Sequence, residues 1–306
     1  MMPPMANQPR LPAAEQLFYT TQTTTSSAGE LAKLLDPLPA DPASVVRVVA
    51  GLLIHPLALS RGATHPHVAA RDAEARAARE LLARVLARNP AALDIARPVE
   101  QRIIGTCRHY ALLAATILRH HRIPARLRVG FARYFVPGFH EDHWVCEYHG
   151  EAAWRLLDAE LGDPAVAETY RIDFPTTDVP RDRFLTAADV WRGLRRREID
   201  DATCGVSFIP AVRGAWFVGA SILRDLAALN GRELLPWDYW GLSREFRPGT
   251  TIAPATAARL DHVADVLAGS APEWSVLRAL YEGADDLRVP ATVLSFPGGA
   301  PVEIAV

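Results

Sequence analysis

The stretch GTCRHYALLAATILRHHRIPARLRVGFARY, Gly105 to Tyr134, limits what this chain can fold into more than any other part of it. Cys107 stands immediately before an apolar-periodic run, and Thr106 is placed to cap a helix from Cys107 to about His121. Ala111, Leu112, Ala115 and Leu118 recur at helical spacing and face the core. From Pro124 the period falls to two, with Leu127, Val129 and Phe131 on one side of a strand. A cysteine at the mouth of a helix is either a small packing residue or a nucleophile, because the helix start offers free N–H groups and the positive end of the macrodipole to an anion. As a nucleophile its thiol pKa is expected to fall from about 8.5 to between roughly 3.5 and 7.5, the more so beside a charged histidine.

Residues downstream decide between the two. The segments HWVCEYH and AWRLLDAEL flank Gly150–Glu151, and glycine at the first central position suits a two-residue type II′ hairpin turn. Counting outward from that turn sets His143 opposite Asp158. Directly opposed residues have Cβ atoms about 4.5–5.5 Å apart, close enough for imidazole and carboxylate to hydrogen-bond. A one-residue slip would send one of them to the other face. Cys107 as nucleophile, His143 as general base and then acid, and Asp158 as the group that orients and stabilises the imidazolium form a complete set for covalent catalysis.

In this order and spacing the blocks GTCRHYALLAATILRHHRIPARLRVGF, DHWVCEY and WRLLDAEL resemble the transglutaminase-like superfamily, the papain-related cysteine fold. The resemblance implies an α+β protein whose cysteine, at a helix N-terminus, packs on an antiparallel sheet with additional helices on both sides. It assigns nucleophile, base and orienting acid to Cys107, His143 and Asp158. It also implies cofactor-independent acyl transfer through a thioester formed on a carboxamide or amide. Attack by an amine then gives transamidation, and attack by water gives deamidation or proteolysis. The alternative from another class is a non-catalytic binding module on the same fold. The backbone N–H of Cys107 is one oxyanion donor, and Gln101, six residues upstream, is the side-chain candidate by likeness to papain-like enzymes. Such proteins usually carry glycine just before the IPAR block. Here Arg122 holds that place and must adopt a left-handed conformation at a cost.

Composition narrows the rest. With 306 residues, 49% hydrophobic and 22% charged, the chain suffices for one large domain or two ordinary ones with a sizeable core. A net charge of −2 excludes the basic footprint of a nucleic-acid binder. The densest basic run, Arg192 to Arg197, is flanked by Glu198, Asp200 and Asp201 and reads as a solvated helix end. The longest apolar stretch, VVRVVAGLLIHPLALS, is broken by Arg47, His55 and Pro56 and is too short to span a bilayer. The N-terminus has no signal-peptide core, so a cytoplasmic protein without membrane contact is expected. Cys107, Cys146 and Cys204 are odd in number and form no CxxC, which argues against disulfides and thiolate zinc. His65 with His67, His120 with His121, and His140 with His143 match no metal-binding spacing, so no metal is expected.

The organisation read from the chain is a loose tail over 1–12, a helical region over 13–94, the transglutaminase-like core over 95–175, and a mostly helical 176–306, either a separate domain or an extension of the core. The helical region contains segments Ser44–Leu59, capped by Asp41 or Ser44, and Val68–Asn89, the most regular of all. Trp144 follows the base and faces away from it. Trp237 and Trp240 lie in the aromatic stretch LLPWDYWGLSREF. All three are substrate-cleft candidates, weighed against a plain packing role. The expected partners are a protein, peptide or small-molecule acyl donor and an amine or water acceptor.

Overall fold

The computed structural model describes residues 11–60 and 71–306. The first part of the chain is mostly helical, with α1 (Ala13–Thr20), α2 (Pro42–Leu52), the short strand β1 (Leu53–Ile54), α3 (Pro56–Ser60) and α4 (Ala78–Arg88). Strand β2 (Ile103–Ile104) pairs in parallel with β1 and leads directly into α5 (Cys107–His120). Then β3 (Ala125–Ala132), β4 (His140–His149) and β5 (Trp154–Leu157) run as an antiparallel meander. After α6 (Pro164–Thr169), β6 (Phe184–Thr186) returns to the free edge of β3, giving the order β5-β4-β3-β6, and β7 (Cys204–Gly205) adds in parallel to β4. Helices α7 (Ala187–Arg195), α8 (Ala215–Leu229), α9 (Pro254–Leu267) and α10 (Trp274–Glu282) follow, with β8 (Asp238–Tyr239), β9 (Thr292–Ser295) and β10 (Val302–Ala305) forming a second small sheet. The fold is α+β, with a helix-start cysteine packed on an antiparallel sheet.

Every residue of β3 is buried, because both faces of the sheet are covered. On one face Leu127, Val129, Trp144 and Cys146 share a core with Leu112, Ala115 and Leu118 of α5. Phe131 instead joins the core of the C-terminal helices, its ring 6.3 Å from that of Phe217 on α8. Arg128 reaches α8 through two bonds to Asp225, at 3.1 and 3.0 Å. Glu147 lies between Arg126 at 2.7 Å and Arg181 at 2.6 Å. Burial opposes its charge, but Arg126, Arg128 and Arg181 outweigh that and hold its carboxyl at about 2. Each of these buried charges has a partner, as low-dielectric surroundings require.

Several sequence expectations shift here. The hairpin between β4 and β5 closes through four residues, Gly150 to Ala153, rather than two, with Gly150 N donating to Ala153 O at 2.9 Å. Cys146 consequently lies opposite Leu157 and His149 opposite Trp154. Asp158 has moved two places along from His143, and a shift of two keeps both side chains on the same face. The helix expected over Val68–Asn89 begins only at Ala78. Before it Arg71 is left-handed (φ 49°), and Asp72 accepts from Arg88 at 2.9 Å and from Ile104 N at 3.2 Å. The remainder of that segment, like His65, His67 and residues 1–10, lies outside the described residues. The Ser44–Leu59 segment starts at Pro42, capped by Asp41 on Ser44 N at 2.9 Å, and stops at Leu52 because Leu53 and Ile54 pair with β2. Arg122 adopts φ 61°, the left-handed turn that its position requires. Among the described residues no helix is long and apolar enough to cross a membrane.

Candidate active site

Cys107 is the first residue of α5, after the N-cap Thr106. The approach is fixed from both sides. Gly105 N donates to Ile54 O at 3.0 Å, extending the β1–β2 pairing to the helix start. The ring of His109 closes the first turn, Nδ1 accepting from Thr106 N at 3.0 Å while Nε2 meets Ala75 O at 3.1 Å. Burial lowers His109 to about 3, so it stays a neutral cap.

The imidazole of His143 comes from β4, where it sits opposite Gly130 of β3. A Cβ at position 130 would lie 2.1 Å from Leu185 O of the neighbouring strand, so only glycine lets β6 approach here. Nε2 of His143 is 2.8 Å from Asp158 Oδ2. The same oxygen accepts from Tyr134 Oη at 2.6 Å, and Oδ1 accepts from Glu160 N at 3.0 Å. That leaves Nδ1 for the Cys107 thiol, with which the His143 ring interacts electrostatically. Edge-on rings of Phe135 at 4.9 Å and Tyr134 at 5.9 Å box the imidazole.

Electrostatics depart from the expectation for the thiol. Burial pushes Cys107 up to about 11, more than the neighbouring His143 lowers it. The sequence reading of a depressed thiol pKa is thus corrected: the helix start is enclosed, and desolvation of the anion outweighs the neighbouring cation. For His143, burial opposes the charge, but the Asp158 carboxylate and its hydrogen bond win and hold the imidazole well above its ordinary 6.5.

Cys107 and His143 open into a cavity of about 550 Å³. Its wall is largely apolar and aromatic, with Phe135, Tyr170, Trp216, Phe217, Trp237 and Tyr239 prominent. The polar exceptions include His55, Asp142 and Glu160. Burial raises Glu160 to about 8 and Asp142 to about 7, the latter against the opposing pull of Arg224. His55 is lowered to about 3 by burial and by His143. Its Nδ1 accepts from Leu57 N at 3.2 Å, so the ring proton is on Nε2.

The structure therefore brings Cys107, His143 and Asp158 together and separates the weaker candidates. Gln101 does not line the cavity; its Oε1 accepts from Asn89 Nδ2 at 2.6 Å. Trp144 is 1% exposed in the core under α5, where strand alternation turns it. Trp240 is fully buried, its indole donating to Leu287 O at 3.0 Å. Trp237 alone of the three tryptophans lines the cavity. His55, Asp142 and Glu160 were missed, because each comes from a position whose neighbours are set by tertiary packing. The one available signal was His55, a polar break in an apolar run. Among the described residues no group of three or more His, Cys, Asp or Glu side chains suits a metal ion.

No curated protein matches the chain. Among solved structures, one of a candidate cysteine protease from Cytophaga hutchinsonii matches at 15% identity and a TM-score of 0.35, over 56% of this chain and 45% of that one. This chain thus spans less than half the length of that protein. The profile of the Transglutaminase-like superfamily matches residues 58–159, a third of the chain, taking in α5, the meander and all three of Cys107, His143 and Asp158. Over residues 58–159 the chain is similar to the transglutaminase-like superfamily.

Proposed function

We propose that this protein is a cysteine acyltransferase that works on a carboxamide through a thioester, with Cys107, His143 and Asp158 as its triad. The observation that carries the reading is the relay from the Cys107 thiol to the His143 ring and on to the Asp158 carboxylate, opening into an apolar cavity. As Cys107 attacks the carbonyl, its proton passes to His143, and Asp158 stabilises the imidazolium. The oxyanion is met by the orphan N–H of Cys107 at the helix start. His55, neutral and protonated on Nε2, is the side-chain donor at the same wall. His143 then returns the proton to the leaving amine or ammonia. Little polar surface is offered to water around the thioester, which favours an amine as the second substrate. The three free cysteines fit a reducing compartment, and we take the cytosol as the setting.

The test measures ammonia release and fluorescent-amine incorporation on a panel of carboxamide donors, with Cys107→Ala as control. Amine incorporation that Cys107→Ala abolishes is the expected result. Ammonia release without incorporation would turn the reading to a hydrolase. No turnover with any donor, by a folded protein, would leave a binding module.

A further inference from the structure

Glu160 stands two places after Asp158 and lines the same cavity as Cys107 and His143. It is 6% exposed, and its Oε2 is buried with no hydrogen-bond partner. Oε1 comes within 3.9 Å of His55 Nδ1, but that nitrogen already accepts from Leu57 N and has no proton to give. His55 is the only ion-pair contact of Glu160 among the described residues. The other two acids of the wall are engaged elsewhere. Both oxygens of Glu141 accept from Ser207 N, at 3.0 and 3.3 Å, and Asp142 feels the pull of Arg224. Arg247, the one arginine among the described residues of the wall, is exposed, lies over the Phe296 ring at 5.3 Å and donates to Phe246 O at 2.7 Å. The charges that act on Glu160 are instead those of His143, Asp158 and Glu141. Of these only His143 can be positive, and Asp158 already holds it at 2.8 Å.

Buried carboxyl groups are normally hydrogen-bonded or paired. We infer that Glu160 is the amine site of the proposed acyl transfer, receiving a primary ammonium with an apolar body and taking its proton beside the thioester. The inference rests on the thiol chemistry proposed above and names its second substrate. The apolar, aromatic wall suits the body of such a molecule, and its ammonium brings the hydrogen-bond donors and the positive charge that the carboxylate lacks. An ammonium cannot attack until it has lost a proton. A buried carboxylate takes one readily, because burial favours the neutral acid, and burial raises Glu160 to about 8. The free amine then attacks the thioester carbonyl. The C–N bond forms, His143 takes the second proton, and the C–S bond breaks to release the amide. His143 returns its proton to the Cys107 thiolate, and Glu160 loses its own to solvent.

The test acetylates Cys107 of the 306-residue chain with 4-nitrophenyl acetate in the presence of 4-phenylbutylamine. It measures N-acetylated amine against acetate, after subtraction of the Cys107→Ala blank. The ratio is taken within each variant, so a fall in total turnover does not move it. Glu160→Gln keeps the shape and removes the charge, and should lower the amine-to-water ratio about tenfold or more, the effect of one charged hydrogen bond. Glu141→Gln, at the acid engaged by Ser207 N, should leave the ratio in place. On the unaltered protein, 4-phenylbutylamine should slow alkylation of Cys107 by iodoacetamide. Neither 4-phenylbutanol, which lacks the charge, nor 4-phenylbutyltrimethylammonium, which lacks the N–H donors, should match it. A ratio untouched by Glu160→Gln, an equal fall in Glu141→Gln, or equal protection by the three molecules would overturn the amine site alone. A Cys107 that is neither acetylated nor alkylated would instead overturn the thiol chemistry.

Discussion

Replacing Asp158 by asparagine isolates the electrostatic part of the relay. The carboxylate is 1% exposed and serves three donors: His143 Nε2 at 2.8 Å, Tyr134 Oη at 2.6 Å and Glu160 N at 3.0 Å. Asparagine keeps one acceptor oxygen and loses the charge. With the charge centres roughly 4 Å apart and an effective dielectric near 20, the imidazolium loses about 4 kcal/mol of stabilisation. That is a factor of about a thousand in any step that requires the thiolate–imidazolium pair. Tyr134→Phe removes one bond to the same oxygen and leaves the charge, so it should cost about 1.5 kcal/mol, roughly tenfold. The assay is the alkylation rate of Cys107 by iodoacetamide at fixed pH, read by intact mass, with melting temperature as the control for folding. The expected order is wild type, then Tyr134→Phe, then Asp158→Asn. A folded Asp158→Asn protein that alkylates within tenfold of wild type would refute the reasoning.

Other expectations follow from the same geometry. The Cys107 alkylation rate should climb through the alkaline range, since burial holds the thiol up to about 11; a plateau reached by pH 6 would show that the helix start and His143 dominate after all. Glu160 has its folded pKa raised from 4.5 to about 8, so its contribution to stability is complete below 4.5 and is lost as pH rises through 8. Stability should fall by up to roughly 1.4 kcal/mol per pH unit across that window, and thermal melts of Glu160→Gln should lack this slope. Glu147→Ala leaves Arg126 and Arg128 buried without their shared carboxylate, and denaturant titration should show a loss of about 3–5 kcal/mol. Gly130→Ala drives a Cβ into Leu185 O and should loosen β6, destabilising the fold by about 3 kcal/mol.

What could be read from the chain depended on how local the controlling physics was. The Cys107 helix and the following strands follow from caps, periodicity and turn residues, all short-range. The pairing of His143 with Asp158 came from a hairpin register that was two residues off. It survived because side chains alternate with a period of two, so an even error preserves the face. The same alternation correctly turned Trp144 away from the site. The cavity wall obeys no such local rule. Trp216 and Phe217 reach it only because α8 covers the sheet, and Glu160 because the chain turns sharply after β5. Gln101 stood at a plausible distance in sequence, but Asn89 had already taken its amide. The helix expected from Val68 had strong propensity throughout, yet Asp72 found better partners in Arg88 and Ile104 N. The rise of the thiol pKa was equally illegible, because spacing gives the neighbours of a sulfur but not its exclusion from water.

The pairing of Leu53 with Ile103 and Ile54 with Ile104 has a practical corollary for anyone who trims this protein. Those two rungs index the side chain at 55 to the sulfur at 107, as adjacent teeth of one gear. A piece cut to residues 95–175, or to the 58–159 segment that matches the superfamily, discards both rungs and α8 together. Silence from such a piece would say nothing about the chemistry of the whole, and assays belong on the 306-residue chain.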